Sequence, residues 1–338
     1  MKLSLVILFI FALLGLSACD ANTKVPPTVV SINPFASVKG IVDPDNHGWP
    51  RTVDVLNGRI TIPSKPQRIL TVSLGHDEVT YALVPAKRVV AVGEFTKKAE
   101  HSNVAHLTQD LPVVTRDPEK ITSFKPDIVV ASAFSSPELI ASLNNAGLLV
   151  VQANLNNHFD GRINDILLMG YIFGEEERTI EFATEVKKRY KELTDLTRGE
   201  TGTKPRVISL TSYGGKIYTA GKDSTEGEII EMAGAINPAV EAGLEHNPII
   251  SLESVIAMSP DVILIAQPDP SASKFMQELR SNKVLAEVPA IKNNRVYMAI
   301  PKYFTTLSFW NLRGAEETAK VIWPELKDKQ YQEFSFPK

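Results

Sequence analysis

Cysteine is almost missing from this chain: there is one in 338 residues, Cys19. That excludes an internal disulfide and any metal centre built from several cysteines. Clustered positive charge is missing as well. The formal net charge is −3 and no basic block stands out, so the footprint of a nucleic-acid-binding protein is absent. Catalytic signatures are missing in turn. The sequence holds no G-x-S-x-G nucleophile elbow, no G-x-G-x-x-G dinucleotide fingerprint and no H-E-x-x-H metal motif. "AGKDSTEG" carries the Gly-Lys of a phosphate-binding loop, but Gly215 lies one residue too early and Asp223 stands where a Ser or Thr belongs.

What is present begins at the N-terminus. Met1-Lys2 opens a short positive region, and the apolar run "LSLVILFIFALLG" and then "LSAC" follow. A run this short with a small-residue end reads as an export signal rather than a membrane span. Leu16-Ser17-Ala18-Cys19 resembles the lipobox of bacterial lipoproteins, in which the cysteine is lipidated and becomes the new N-terminus. Residues 1–19 are therefore expected to be a lipoprotein signal. Residues 20–50, rich in Pro, Asn, Thr and Ser and without periodicity, are expected to be a flexible tether. The expected product is exported and lipid-anchored on the outer face of the membrane.

With 43% hydrophobic residues, the remainder is long enough for two cored domains. "RTVDVLNGRITIP" alternates around Asn57-Gly58, a strong hairpin signal. "RILTV", "RVVAV", "DIVVA" and "GLLVV" then appear as short apolar runs without alternation, the pattern of strands covered on both faces by helices. The pattern restarts with "RVISL", "KIYTA", "DVILI" and "RVYMAI". Between the two sets, "GRINDILLMGYIFG" and a long stretch from Glu175 to about Arg198 read as helices. In the second, Ala183, Val186, Tyr190, Leu193 and Thr197 fall on one stripe. The expected architecture is α/β: a first lobe over 51–160, a short helix plus a long rigid helix over 161–200, and a second, similar lobe over 201–338, with mainly parallel sheets.

The two lobes share a phrase. "EKITSFKPDIVVA" at 119–131 lies over "ESVIAMSPDVILIA" at 253–266 with a constant offset. Glu119 falls on Glu253, Ile121 on Val255, Phe124 on Met258, Pro126 on Pro260 and Asp127 on Asp261. With the lipobox, "GRITIPSKPQRILTVS" and the long central helix, this pair resembles the substrate-binding proteins of bacterial ABC importers. The branch is the one that serves ferric siderophores, haem and vitamin B12. The resemblance covers nearly everything after residue 50. It implies two α/β lobes bridged by one helix that permits little flexing, a ligand held in the cleft between them, no catalysis, and a monomer. It also implies that Glu119 and Glu253 dock into basic pockets of a permease dimer.

In open α/β sheets, ligands bind beyond the carboxyl ends of the strands, which nominates the loops after each strand. These offer Ser73 and His76, then Phe95, Thr96 and Lys97, then Phe134 in the first lobe. The second lobe offers Tyr213, Tyr218, Lys222, Gln267, Tyr303 and Trp310. The lysines and tyrosines favour a ferric siderophore, with haem or cobalamin as other cargoes. Two further readings stay open: a free divalent-metal receptor using His76, and a secreted two-domain enzyme. Nitrogenase-like two-lobed folds carry cofactor-ligating cysteines, which this chain lacks after Cys19.

Overall fold

The computed structural model describes residues 33–198 and 203–337. The export signal, the lipobox and Cys19 lie outside the described residues. Residues 33–50, expected to belong to the tether, are packed instead, and residues 20–32 of it lie outside the described residues. Phe35 is 1% exposed, Val38 is buried beside it, and Trp49 lies under the buried Arg51 guanidinium, 4.3 Å from ring to cation. Composition marked this segment as polar, but its few apolar side chains suffice to hold it against the first lobe.

The Asn57-Gly58 turn joins β1 (Arg51–Val55) to β2 (Gly58–Ile62) in an antiparallel hairpin. Gly58 has φ +101°, a conformation that favours glycine. The Asn57 side chain then acts as a surrogate strand residue: its amide donates to Val150 O at 2.9 Å and its oxygen accepts from Gln152 N at 2.8 Å.

The first lobe is a five-stranded, wholly parallel sheet of β3 (Ile69–Thr71), β4 (Val89–Gly93), β5 (Val113–Val114), β6 (Ile128–Ser132) and β7 (Val150–Ala153). Its order is β5-β4-β3-β6-β7. Helices α1 (Leu74–Leu83), α2 (Pro118–Ser123) and α3 (Pro137–Asn145) connect and cover it. All four strands expected from the apolar runs are present. β5, only two residues long, carries too little pattern to be seen in advance.

Helix α4 (Phe159–Phe173) ends at Gly174, which is left-handed with φ +69°, and α5 (Glu176–Thr197) follows. The 22 residues of α5 span about 33 Å at 1.5 Å per residue. The stripe expected on α5 is the buried one: Ala183, Val186, Leu193 and Thr197 are all inaccessible, and Tyr190 stacks on Phe159 at 3.8 Å.

The second sheet has the order β10-β9-β8-β11-β12. Its strands are β8 (Val207–Tyr213), β9 (Lys216–Thr219), β10 (Ile249–Ile250), β11 (Val262–Ile265) and β12 (Val296–Met298). β8, β11 and β12 are parallel, while β9 turns back at Gly214-Gly215 and runs antiparallel to β8. Helices α6 (Thr225–Met232), α7 (Pro238–Glu241), α8 (Leu252–Met258), α9 (Ser271–Ser281), α10 (Pro289–Lys292), α11 (Pro301–Phe304) and α12 (Asn311–Ile322) complete it.

The repeated phrase has a common structural job. In each lobe it is a short helix, a left-handed residue, Pro-Asp and a central strand. Lys125 (φ +48°) and Ser259 (φ +44°) are the equivalent left-handed positions. Asp127 accepts the backbone N–H groups of Gln67 and Arg68 at 2.6 and 2.9 Å, and Asp261 accepts that of Arg206 at 2.8 Å. Arg68 in turn caps the carbonyls of Phe124 and Lys125, and Arg206 that of Met258. The phrase thus pins each central strand to its parallel neighbour while terminating the helix before it.

One hydrophobic core runs through both lobes. It joins Ile69 and Val130 of the first sheet, Phe182 and Val186 of α5, and Val207, Ile229 and Phe309 of the second lobe.

Candidate ligand-binding cleft

The carboxyl ends of all five strands of the first sheet open onto one cavity of about 360 Å³. Residues Val72–His76 follow β3, Phe95 and His101 follow β4, Arg116 follows β5, Ser132–Phe134 end β6, and Asn154-Leu155 follow β7. The second lobe closes one side with Thr305–Leu307, between α11 and α12. A second hollow of about 380 Å³ shares Val72–Leu74, Phe95 and Arg116 with it, so these residues border both spaces.

The walls are apolar and aromatic. Phe134 is 79% exposed and Phe95 is 55% exposed, unusual for rings that would bury well over 100 Å² in a core. Phe95 meets the His101 ring edge-on at 5.4 Å. No carboxylate lines the first cavity, while Glu94 lies on the wall of the second hollow. Arg116 has no ion pair or hydrogen bond among the described residues. The nearby lysines are occupied: Lys98 pairs with Glu94 at 2.7 Å, and Lys97 donates to the carbonyls of Gln109 and Leu111, both at 2.8 Å.

Helix α1 forms the floor, and its sequence explains how it can. Ser73 caps the helix, accepting His76 N. A Cβ at Gly75 would collide with the Leu307 carbonyl and the Leu155 side chain, so only glycine allows the second lobe to approach this closely. His76 is 0% exposed and its Nδ1 meets Ser73 Oγ at 2.7 Å. Burial lowers its pKa to about 4, which keeps the ring neutral.

Behind the floor, two acids are wholly buried. Asp77 accepts from the hydroxyls of Thr71 and Thr96, the latter at 2.5 Å. Glu78 ties the lobes together. Its carboxylate accepts Asn103 N and Nδ2, both at 2.9 Å, and Ser308 Oγ of the second lobe at 2.5 Å. Asn103 Nδ2 also reaches Lys302 O at 3.0 Å. Burial pushes both carboxyls up to about 7.

Four of the residues expected at the cleft line this cavity: Ser73, His76, Phe95 and Phe134. His76 contributes from beneath, with its ring shut in. Thr96 borders the second hollow, but its side chain is buried on Asp77. Tyr213 sits fully outward at the end of β8, Tyr218 lies half-buried within β9, and Gln267 accepts Ser212 N at 2.7 Å; none of the three lines the cavity. Lys222 follows β9, which runs back from the carboxyl end of β8, so it lies beyond the opposite end of that strand. Trp310 is not a cleft wall but a core residue, packed among Phe309, Phe334 and a stacked Tyr303 at 5.8 Å. The second lobe contributes its 305–307 segment instead.

His101 and Arg116 were not foreseen. His101 belongs to the same loop as Phe95 and was legible there as a metal-ligating residue type. Arg116 follows the two-residue β5, which gave no strand signal to place it. Glu119 and Glu253 are exposed second residues of α2 and α8, in equivalent positions of the two lobes. Among the described residues no group of three or more His, Cys, Asp or Glu side chains can hold a metal ion, and no helix is long and apolar enough to cross a membrane.

Known proteins share this architecture. An uncharacterized ABC transporter substrate-binding lipoprotein of Bacillus subtilis, YvrC, is 26% identical over 82% of this chain and 87% of its own length. A cobalamin-binding protein of Halobacterium salinarum is 24% identical over 72% of this chain, which spans 64% of that protein. Among solved structures, the periplasmic haem-binding protein HutB of Vibrio cholerae superposes with a TM-score of 0.68 at 22% identity, over 76% of this chain and 99% of that one. Residues 69–303 match the family of periplasmic binding proteins, and the chain belongs to that family: it is a substrate-binding protein of an ABC importer, not an enzyme.

Proposed function

We propose that this protein captures an iron chelate, haem or a corrinoid in the cavity between its lobes and delivers it to a membrane permease dimer. The observation that carries this reading is the cavity itself. It lies where all five parallel strands of one lobe end, it is closed by a segment of the other, and it carries two solvent-exposed phenylalanine rings. A bulky chelate with apolar faces would cover them. Relatives named for cobalamin, ferric dicitrate and ferric enterobactin lie at 22–24% identity.

In this reading the chain acts as a monomer, anchored through lipid on Cys19. Glu119 and Glu253 register it on the permease, an interaction that would set orientation and encounter rate more than affinity. The lysines and tyrosines that would favour a ferric siderophore do not line the cavity. Chelate class is therefore an open variable of the experiment.

That experiment is a thermal-shift screen of the purified chain against ferric hydroxamate, catecholate and carboxylate chelates, haem, cobalamin and free divalent metals. A cargo at about 100 times its Kd stabilises the native state by about 2.7 kcal/mol, a readily measured shift. Stabilisation by one chelate class supports the reading. Stabilisation by free metal alone overturns it in favour of a metal receptor.

A further inference from the structure

We propose that His158 is a proton-operated latch between the two lobes: protonated, it clasps Asp223 and Glu228 of the second lobe, and on losing its proton it slackens that flank of the junction. The geometry points to this. His158 follows β7 and stands at the start of α4, but its side chain makes no cap to its own helix. It turns to the second lobe instead. Nε2 lies 2.8 Å from Asp223 Oδ1, and Nδ1 lies 3.0 Å from Glu228 Oε2. Both partners are carboxylates, which only accept when ionised. A neutral imidazole has one N–H and satisfies one of them; the imidazolium has two and satisfies both.

The latch is tied into the junction on both sides. Glu228 Oε1 accepts Phe159 N at 2.9 Å, so a second-lobe carboxylate caps the start of α4. Asn157 donates to Asp223 O at 2.8 Å and accepts from Thr225 Oγ1 at 3.1 Å. The clasped segment begins just beyond Leu155 on the cavity wall. Charge favours the cation. Helix α6 brings Glu228 and Glu231, and the loop before it brings Asp223, with the exposed Lys222 beside it. Helix α4 brings Asp160, Arg162 and Asp165, and α5 brings Tyr190 and, at its end, Arg198. Carboxylates outnumber cations here, and Glu228 first, then Asp223, raise the ring above its ordinary value.

Loss of the proton has a mechanical outcome. One ring nitrogen then presents a lone pair to a carboxylate, and that contact breaks. Glu228 has another cation to turn to. Arg162, one turn along α4, is 4% exposed, and neither of its terminal guanidinium nitrogens has a partner among the described residues. Glu228 is the strongest charge acting on it, and a buried guanidinium left unpaired gains from such a partner. A Glu228 that turns to Arg162 lets go of both His158 and the Phe159 N–H. Because the ring is raised, the hold is complete below its ordinary value of 6.5 and is lost as pH rises through the raised one. The junction beside the cavity is therefore tight in acid surroundings and slack in alkaline ones, whatever cargo the cleft carries.

The test follows the full-length chain, purified in detergent, by histidine-ring NMR and by backbone hydrogen exchange from about pH 5.5 to about pH 8.5. The ring signal that disappears in His158→Gln should titrate above 6.5. Exchange over residues 157–159 and 223–228, corrected for its intrinsic pH dependence, should quicken about fivefold as that signal titrates, the scale of two partly exposed ion pairs. His158→Gln, always neutral, should exchange fast throughout. His158→Arg, always charged and with donors for both carboxylates, should stay slow throughout. The arginine variant also separates the latch from Asp165, which burial raises to about 7 and which holds Asn156 by two bonds of 2.6 Å: a step owed to Asp165 would persist in it. The His158 side chain is 59% exposed, so neither substitution disturbs the core, and unfolding curves matching the parent chain would confirm it. A ring that titrates at or below 6.5 overturns the inference, as does an exchange step that persists in His158→Arg or is missing from the parent chain. None of these readouts involves cargo, so every outcome leaves the proposed function where it stands.

Discussion

Asp127 and Asp261 show how single residues make two lobes from one plan. Each sits just before a central strand and accepts backbone N–H groups at the start of the neighbouring parallel strand. A carboxylate is suited to this because it offers several lone pairs and strengthens each bond by its charge. Replacing Asp127 by Ala leaves two N–H groups to water. Because the site is exposed, the expected loss is about 1 kcal/mol, read as a lower midpoint in urea unfolding. Asp127→Asn, which keeps one acceptor oxygen, should lose less. An unchanged midpoint for the alanine variant would mean that solvent replaces the carboxylate fully.

At the scale of elements, the sequence was most informative where a pattern is long or repeated. The α5 stripe, the Asn57-Gly58 hairpin and the duplicated Pro-Asp phrase each combine several agreeing signals. The site was less legible. Phe95 and Phe134 followed from strand-end topology, but whether a loop side chain faces a cavity, a carbonyl or a core depends on packing across the lobes. Lys97 turned to backbone oxygens and Trp310 to an aromatic cluster for that reason. Charged letters also misled: "HDE" at 76–78 looks like a solvated helix start, yet all three side chains are buried.

Those buried groups give α1 a pH signature. Burial raises the pKa of Glu78 to about 7, so the folded chain holds a proton that the unfolded chain releases near its ordinary value of 4.5. Stability from this group is greatest below about 4.5, falls as pH rises toward about 7, and is level above. Asp77 and Asp165, each raised to about 7 by burial, act in the same direction. His76, lowered to about 4 by burial, acts oppositely between about 4 and 6.5. His158, raised above its ordinary value by Glu228 and Asp223, acts in the same direction as the acids above about 6.5, and the melting temperature should drop as pH rises through neutrality. Glu78→Gln mimics the protonated acid, keeping an acceptor for Asn103 and a donor for Ser308. It should make the drop shallower, as followed by melting temperature against pH. A drop of unchanged depth would mean that Glu78 carries its proton to higher pH or none at all.

At the scale of the molecule, the continuous core makes α1, α5 and α12 a frame rather than a hinge. Two consequences follow from it. A frame fixes the separation of Glu119 and Glu253, so reversing both charges should abolish uptake by cells that depend on this chain while leaving the Kd for cargo unchanged. Uptake persisting in the Glu119→Lys, Glu253→Lys chain would remove these residues from docking.

The second consequence concerns unfolding. Each lobe has a smaller cluster of its own, but Phe182 on α5 packs against Phe309 at 4.7 Å and Phe334 at 6.0 Å, inside a shared core that also holds Ile69 and Val207 of the two sheets. Neither sheet can be exposed on its inner face without opening the same cluster. Denaturant unfolding followed by far-ultraviolet dichroism and by tryptophan fluorescence should give one coincident transition. The tryptophans report on both sides of the frame, since Trp49 lies by the first lobe and Trp310 and Trp323 in the second. Phe182→Ala should destabilise by about 3–5 kcal/mol and lower both signals together. If the two signals separate instead, the lobes carry independent stability, and the limited flexing inferred from the shared core fails with it.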